Sequence, residues 1–245
     1  MSATHNLLTL DSITKRFGGL VAVNTLSFEV ESKSVHGLIG PNGSGKSTTL
    51  NLLSGALALS SGEITLDHSR LTNLSAHQIS KLGISRTFQL VRLLPSLTVA
   101  ENVMVGGLFG HRPYGFRDAD RAVSAVLDRV GLGGKGGLMP GQLTYIDTKR
   151  VELARALISQ PRVLLLDEWL AGLNPTELEA GIALIASLRE ECEAIIVVEH
   201  VMEAIRSLCD RCVVMASGSK IAEGDVETVL NQPAVIEAYL GGDDD

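Results

Sequence analysis

Three stretches of the sequence argue for an α/β fold built around a mainly parallel core sheet. Val35–Ile39, Val163–Leu166 and Ala194–Val198 are short, largely apolar runs, the pattern of strands buried on both faces. Helical spacing separates them. Each is followed at once by groups suited to chemistry: Gly40–Ser47, Asp167-Glu168 and Glu199-His200. In open parallel sheets, ligands bind outside the carboxyl ends of the strands, so the three clusters would open onto one site.

Residues 7–30 read as short antiparallel strands. Leu26, Phe28 and Val30 alternate with Ser27 and Glu29, as one buried face requires. Phe17-Gly18-Gly19 marks a turn between them, where Phe17 is either a core residue or an apolar platform for a nucleotide base. Val35–Ile39 then leads into Gly40-Pro41-Asn42-Gly43-Ser44-Gly45-Lys46-Ser47. This is the G-x-x-x-x-G-K-S phosphate-binding loop, with Thr48–Leu53 as the first turns of the helix it requires. Glu63–Asp67 alternates like a strand, Ser75 caps a short helix ending at Gly83, and Ile84–Phe88 returns to strand character before Gln89.

The texture then changes. Glycines cluster at 131–137, and Asp118–Val130 has helical spacing with Ala122, Val126 and Val130 on one face. A helical subdomain inserted at about residues 90–160 is expected. From Lys149 a helix carries Val151, Ala154, Leu157 and Ile158 on one face until Pro161 stops it. Asn174, Pro175 and Glu177 form a capped helix start, with Leu178, Ile182 and Ile185 facing inward. After Ala194–Val198 come a strand, a turn at Gly218 and two short helices at about 225–230 and 234–240. Gly241–Asp245 reads as a disordered tail.

Composition narrows the function. The 245 residues are 45% hydrophobic and 20% charged, a globular balance for one large domain. The net charge of −7 argues against a nucleic-acid partner. Mean hydropathy is +0.22, yet no apolar run approaches the ~20 residues of a membrane span. The start, Met1–Asn6, lacks the basic and apolar regions of a signal peptide. A cytoplasmic protein with apolar surface for a partner fits both facts. Cys209 and Cys212 form a lone C-x-x-C without a second pair or a nearby His, which favours a structural role.

The chemistry follows from residue type and place. Gly40, Gly43 and Gly45 allow positive φ and close approach to phosphate oxygens. The loop N–H groups and the helix N-terminus form an anion cradle. Lys46 reaches the β- and γ-phosphates, and the Ser47 hydroxyl binds Mg²⁺. Asp167 suits a metal-binding carboxylate. Glu168, one step beyond, is placed to orient or deprotonate an attacking water. His200 can stabilise charge developing on the γ-phosphate. An Asp-Glu after a strand is often only a helix start, and a lone His is more often structural. Their coincidence with the phosphate loop favours catalysis.

On these residues the sequence resembles the ATP-binding subunits of ABC transporters over nearly its whole length. The resemblance implies a P-loop NTPase of the ABC-ATPase fold: one domain over 1–245, with an N-terminal antiparallel β subdomain and the inserted helical subdomain. It implies ATP and Mg²⁺ as ligands, with Phe17 stacking on the base and Gly40–Thr48 (Pro41, Asn42, Ser44 and Thr48 included) as the Walker A segment. Gln89, in Arg86-Thr87-Phe88-Gln89, matches the glutamine that faces Mg²⁺ and the membrane subunits. Asp167, Glu168, Leu173-Asn174 and His200 match the Walker B, D-loop and H-loop. Arg16–Leu20, Ala171–Glu177, Ile221–Gly224 and Val235–Leu240 look like the branched-chain amino acid importer type, whose relatives also serve amides, urea and aromatic acids.

The implied partners are transmembrane permease subunits, a second ATPase subunit stacked head to tail and, indirectly, a substrate-binding protein. The implied place is the cytoplasmic face of the cell membrane. Leu90–Leu97 would help dock the permease. One stretch departs from the family: where Leu-Ser-Gly-Gly-Gln is usual, the chain has Leu143-Thr144-Tyr145-Ile146-Asp147. Thr144 keeps a hydroxyl for the opposite γ-phosphate, Tyr145 and Ile146 replace both glycines, and Asp147 is expected to add negative charge beside phosphate. Asn174 and Val201 stand where Asp is common. Two rival readings are a nucleotide-binding partner with a degenerate site and a soluble ABC ATPase acting on nucleic acid or ribosomes. The second usually carries a coiled-coil insertion, a second ATPase half or basic surfaces, and none is visible. A GTPase is disfavoured because no Asn-Lys-x-Asp motif occurs.

Overall fold

A computed structural model describes residues 5–240, with the side chains of Phe116, Arg117 and Leu240 outside the description. The expected tail at 241–245 also lies outside the described residues. The chain runs through β1 (Asn6–Phe17), β2 (Leu20–Glu31), β3 (Ser34–Ile39), α1 (Lys46–Leu53), β4 (Ser61–Leu66), β5 (Ser69–Arg70), α2 (Ala76–Lys81) and β6 (Ile84–Arg86). It continues through α3 (Val99–Phe109), α4 (Phe116–Arg129), α5 (Tyr145–Leu157), β7 (Val163–Asp167), α6 (Pro175–Ser187), β8 (Ala194–Val198) and α7 (Met202–Leu208). It closes with β9 (Arg211–Ala216), β10 (Ser219–Asp225), α8 (Val226–Leu230) and α9 (Pro233–Leu240).

Two sheets form. A four-stranded antiparallel sheet has the order β2-β1-β4-β5. A six-stranded sheet has the order β10-β9-β3-β8-β7-β6 and is parallel except for the β9–β10 edge. The central strands alternate between two cores. Leu164, Leu166, Ile195 and Val197 face a core shared with α3–α7, whereas Val163, Leu165, Ile196 and Val198 face α1 and the antiparallel sheet. Burial on both faces is why these strands are continuous apolar runs. Registers Gly37↔Val197 and Asp167↔Val198 bring the carboxyl ends of β3, β7 and β8 to one edge.

Several boundaries differ from the sequence-based expectation. A helix unforeseen in the sequence, α3, is capped by Thr98 and Glu101 in a capping box. It packs tightly on α5, where a Cβ on Gly106 would lie 2.2 Å from the Arg155 carbonyl oxygen. The helix expected from Lys149 begins at Tyr145, because the Thr144 hydroxyl accepts the Asp147 N–H and caps it. The helix expected from Asp118 begins at Phe116. β6 ends at Arg86, short of Phe88, because the Phe88 N–H leaves the ladder and donates to Glu152 Oε1 on α5 at 3.1 Å. The capping box at Asn174 and Glu177 is as expected. No helix among the described residues is long and apolar enough to cross a membrane.

Candidate functional site

A cleft of about 700 Å³ opens at the shared strand edge, lined by Asn42–Thr48 on one wall and by Phe17, Leu20, Gln89, Glu168 and Gly218 among the others. The phosphate loop joins β3 to α1. Gly40, Gly43 and Gly45 all adopt positive φ, at 144°, 75° and 104°. At two of them only hydrogen fits: a Cβ on Gly40 would meet the Met215 carbonyl oxygen at 2.1 Å, and one on Gly45 the Ala22 carbonyl oxygen at 2.5 Å. A Cβ on Gly43 would meet only open space. No side chain caps α1 at Gly45, so its first N–H groups remain for an anion.

The Lys46 ammonium donates to the Gly40 and Pro41 carbonyls at 2.8 and 2.9 Å, folded back over its own loop. Burial lowers its pKa, against the carboxylates of Glu168 and Asp167. Ser44 Oγ is buried without a partner, while Ser47 is exposed at the cleft and Thr48 lines it. Phe17 is 45% exposed and Leu20 is 65% exposed, so two apolar side chains stand at the entrance. Phe17 is therefore not a core residue, and Lys15 Nζ lies 5.1 Å from its ring centroid.

Opposite the loop, Glu168 carries two contacts. Gln89 Nε2 donates to Oε2 at 2.7 Å, and His200 Nε2 lies 3.0 Å from Oε1. Two residues from two other chain segments thus meet on the Glu168 carboxylate. Asp167 lies behind, 2% exposed. Its Oδ2 accepts from Arg86 Nη2 at 2.7 Å, and its Oδ1 is buried without a partner. Burial raises its pKa against the Arg86 charge. Asp167 thus offers an unpartnered carboxylate oxygen, while the Ser47 hydroxyl and the Gln89 amide line the cleft in front of it with Glu168; such an oxygen-bearing set suits a hard cation such as Mg²⁺.

Not every expected residue lies in the cleft. Thr144 caps α5 in the helical region, and His200 lines a neighbouring apolar pocket with Met202, Arg206 and Tyr239. The expected negative charge at Asp147 is also corrected. Its carboxylate turns inward to Lys135 Nζ at 2.7 Å and is nearly buried. Burial pushes its pKa up, but hydrogen bonds from Lys135 and Thr144 outweigh this and hold it below the ordinary carboxylate range. Tyr145 lies over the turn after Glu168, with its hydroxyl 3.4 Å from the Ala171 carbonyl. The thiols of Cys209 and Cys212 are buried, pushed up to about 12 and about 11 by burial, as inert packing residues would be.

Sequence reasoning missed Arg86. Its guanidinium spans Asp167, Asn51 at 2.6 Å and Ser54 at 3.1 Å, with the Phe88 ring 4.7 Å away. No local pattern marks it, because its partners lie on other elements. Leu20 was within reach, since it follows Phe17 across the turn.

A family model described as ABC transporter matches residues 23–171, and one described as branched-chain amino acid ATP-binding cassette transporter matches 219–245. The chain is 40% identical to the high-affinity branched-chain amino acid transport ATP-binding protein LivG of Salmonella typhimurium, over 96% of this chain and 98% of that one. It is 39% identical to the corresponding protein BraF of Pseudomonas aeruginosa, over 96% and 98%. Its structure is similar to that of an ATP-binding cassette of an ABC transporter in its ADP conformation. That match has a TM-score of 0.87 and 29% identity, covering 97% of this chain and 99% of that one.

Proposed function

The chain belongs to the ATP-binding subunits of ABC transporters, and from that premise we propose how its own residues use ATP and what the energy drives. It is an ATPase. Phe17 and Leu20 offer an apolar face to the base. The turns at Gly40, Gly43 and Gly45 aim N–H groups at the phosphates, and Lys46 exchanges its own loop carbonyls for β- and γ-phosphate oxygens. Mg²⁺, held by Ser47, Asp167 and Gln89, would neutralise charge on the β- and γ-oxygens.

Glu168 accepts the proton of the attacking water, or orients it, and His200 holds the carboxylate and faces the developing charge. The observation that carries this reading is the meeting of Gln89 and His200 on Glu168, across the cleft from the phosphate loop. Thr144 lies outside that cleft, which supports a head-to-tail partner whose signature completes the site. Tyr145 and Ile146 stand where glycines are usual, and this favours a different ATPase subunit as that partner. ATP binds the closed pair better than the open one, so binding and hydrolysis cycle the permease between states.

We assign the chain to an importer of branched-chain or related amino acids or amides. It works at the cytoplasmic membrane face, with a substrate-binding protein delivering the solute. The relatives' names and the C-terminal family match support this. The test is uptake of radiolabelled leucine by cells carrying Glu168→Gln in place of the parent chain. Uptake should collapse while a permease still co-purifies with the variant. Unchanged leucine uptake would refute the substrate assignment.

A further inference from the structure

A charged side chain outside the cleft touches the backbone of Glu168. Lys149, on α5, is 2% exposed. Its ammonium donates to the Glu168 carbonyl at 3.1 Å and to the Trp169 carbonyl at 2.9 Å. In return, Trp169 Nε1 donates to the Lys149 carbonyl at 3.0 Å. A buried ammonium is costly unless its donors find partners, and here two backbone oxygens accept from two of the three. Glu168 itself has a φ of +49°, a conformation that a β-carbon disfavours. β7 ends at Asp167, so the next two carbonyls leave the ladder and turn to Lys149. Two other ties hold the Glu168 backbone: its N–H donates to the Val198 carbonyl at 2.8 Å, and its carbonyl also accepts the Ala171 N–H at 3.2 Å.

We infer that Lys149 is a positioning residue for Glu168, its ammonium clamping the Glu168 and Trp169 carbonyls so that the carboxylate projects toward Gln89, His200 and the cleft. The inference rests on the reading of Glu168 as the group that handles water. It also accounts for Tyr145. That side chain stands in place of a signature glycine, with Lys149 Nζ 5.2 Å from its ring centroid. A Cβ on Gly172 would lie 3.4 Å from the ring, so Tyr145 roofs the clamp and the turn after it. The helix that begins at the signature therefore grips the backbone of the residue that carries the hydrolytic carboxylate of the same chain. In a head-to-tail pair, that helix answers to one nucleotide and steadies the group acting on the other.

The test uses the assembled transporter and the isolated chain, whose single tryptophan is Trp169. Lys149→Met should lower kcat by about 10-fold or more, since charge-assisted hydrogen bonds of this kind are worth that much. ATP affinity should stay within about twofold, because no contact to the phosphate loop is lost. Lys149→Arg should restore kcat. Trp169 emission should shift in the Met variant and not in the Arg variant. Adding Lys149→Met to Glu168→Gln should cause no further loss, because the clamp acts only through that carboxylate. If the Met variant fails to fold by thermal melt, Lys149→Gln, which keeps donors without charge, decides by the same kcat and affinity split. Parental kcat in a folded variant, an equal loss of ATP affinity, or additivity with Glu168→Gln would overturn the inference. Parental turnover in Glu168→Gln alone would instead overturn the reading beneath it, while Trp169 emission still reports whether the clamp exists.

Discussion

Glu199 lies between the end of β8 and His200, and its titration should be legible in stability. The residue is 1% exposed. Its Oε1 accepts the Leu170 N–H at 2.6 Å, and its Oε2 is buried without a partner. Burial pushes its carboxyl up from 4.5 to about 7, against the Leu170 hydrogen bond and the Lys149 charge. The sign follows. Below about pH 4.5 the group is protonated in both folded and unfolded chains, and its contribution to stability is fully present. Between about pH 4.5 and 7 the unfolded chain ionises first, so stability is lost as pH rises. Above about pH 7 the loss is complete. The interval from 4.5 to about 7 corresponds to about 3 kcal/mol. Glu199→Gln keeps an acceptor for Leu170 and removes the ionisation. At pH 8 the variant should therefore be more stable than the parent by up to about 3 kcal/mol, and near pH 4 the difference should nearly vanish. Urea unfolding of both chains at the two pH values measures this. A difference independent of pH, or a variant less stable at pH 8, would refute the reasoning.

Three further outcomes are expected. Arg86→Met leaves the buried Asp167 carboxylate unpaired and should cost about 3–5 kcal/mol in urea unfolding, with part recovered by adding Asp167→Asn. Gly45→Ala puts a Cβ 2.5 Å from the Ala22 carbonyl oxygen at a φ of +104°, so ATP affinity in a fluorescence titration should fall at least about tenfold, or 1.4 kcal/mol. Phe17 and Leu20 present no donor or acceptor to the base, so GTP should compete with ATP within about 100-fold, or 2.7 kcal/mol, in a displacement assay.

The parts of the fold legible in the sequence were those set by burial on both faces or by fixed spacing. Val163–Leu166 and Ala194–Val198 read as central strands because cores cover both sides of them. The phosphate loop read clearly because its glycines are dictated by backbone φ and by neighbouring carbonyls. Helix α3 was hidden by Gly106 and Gly107, which lower helix propensity locally and are required by close packing on α5. Its start was nonetheless written in Thr98 and Glu101, a capping box ahead of an apolar run. Likewise Thr144 and Asp147 marked the true start of α5, obscured by reading them as a ligand loop. Arg86 and Lys149 were illegible for a different reason. Each acts on a group 81 or about 20 residues away in sequence, and only the packed fold brings them together.

The central claim is that Glu168 drives hydrolysis in a cleft that a different subunit completes. The most direct measurement is ATPase activity of the assembled complex with Glu168→Gln and, separately, with the equivalent substitution in the partner ATPase. Glu168→Gln should leave ATP binding intact and slow turnover by about 100-fold or more, the usual contribution of a positioned base. The partner's substitution should cost much less, because in the proposed head-to-tail pair its nucleotide would face Tyr145 and Ile146. Unchanged turnover in Glu168→Gln, or equal losses from the two substitutions, would contradict the account.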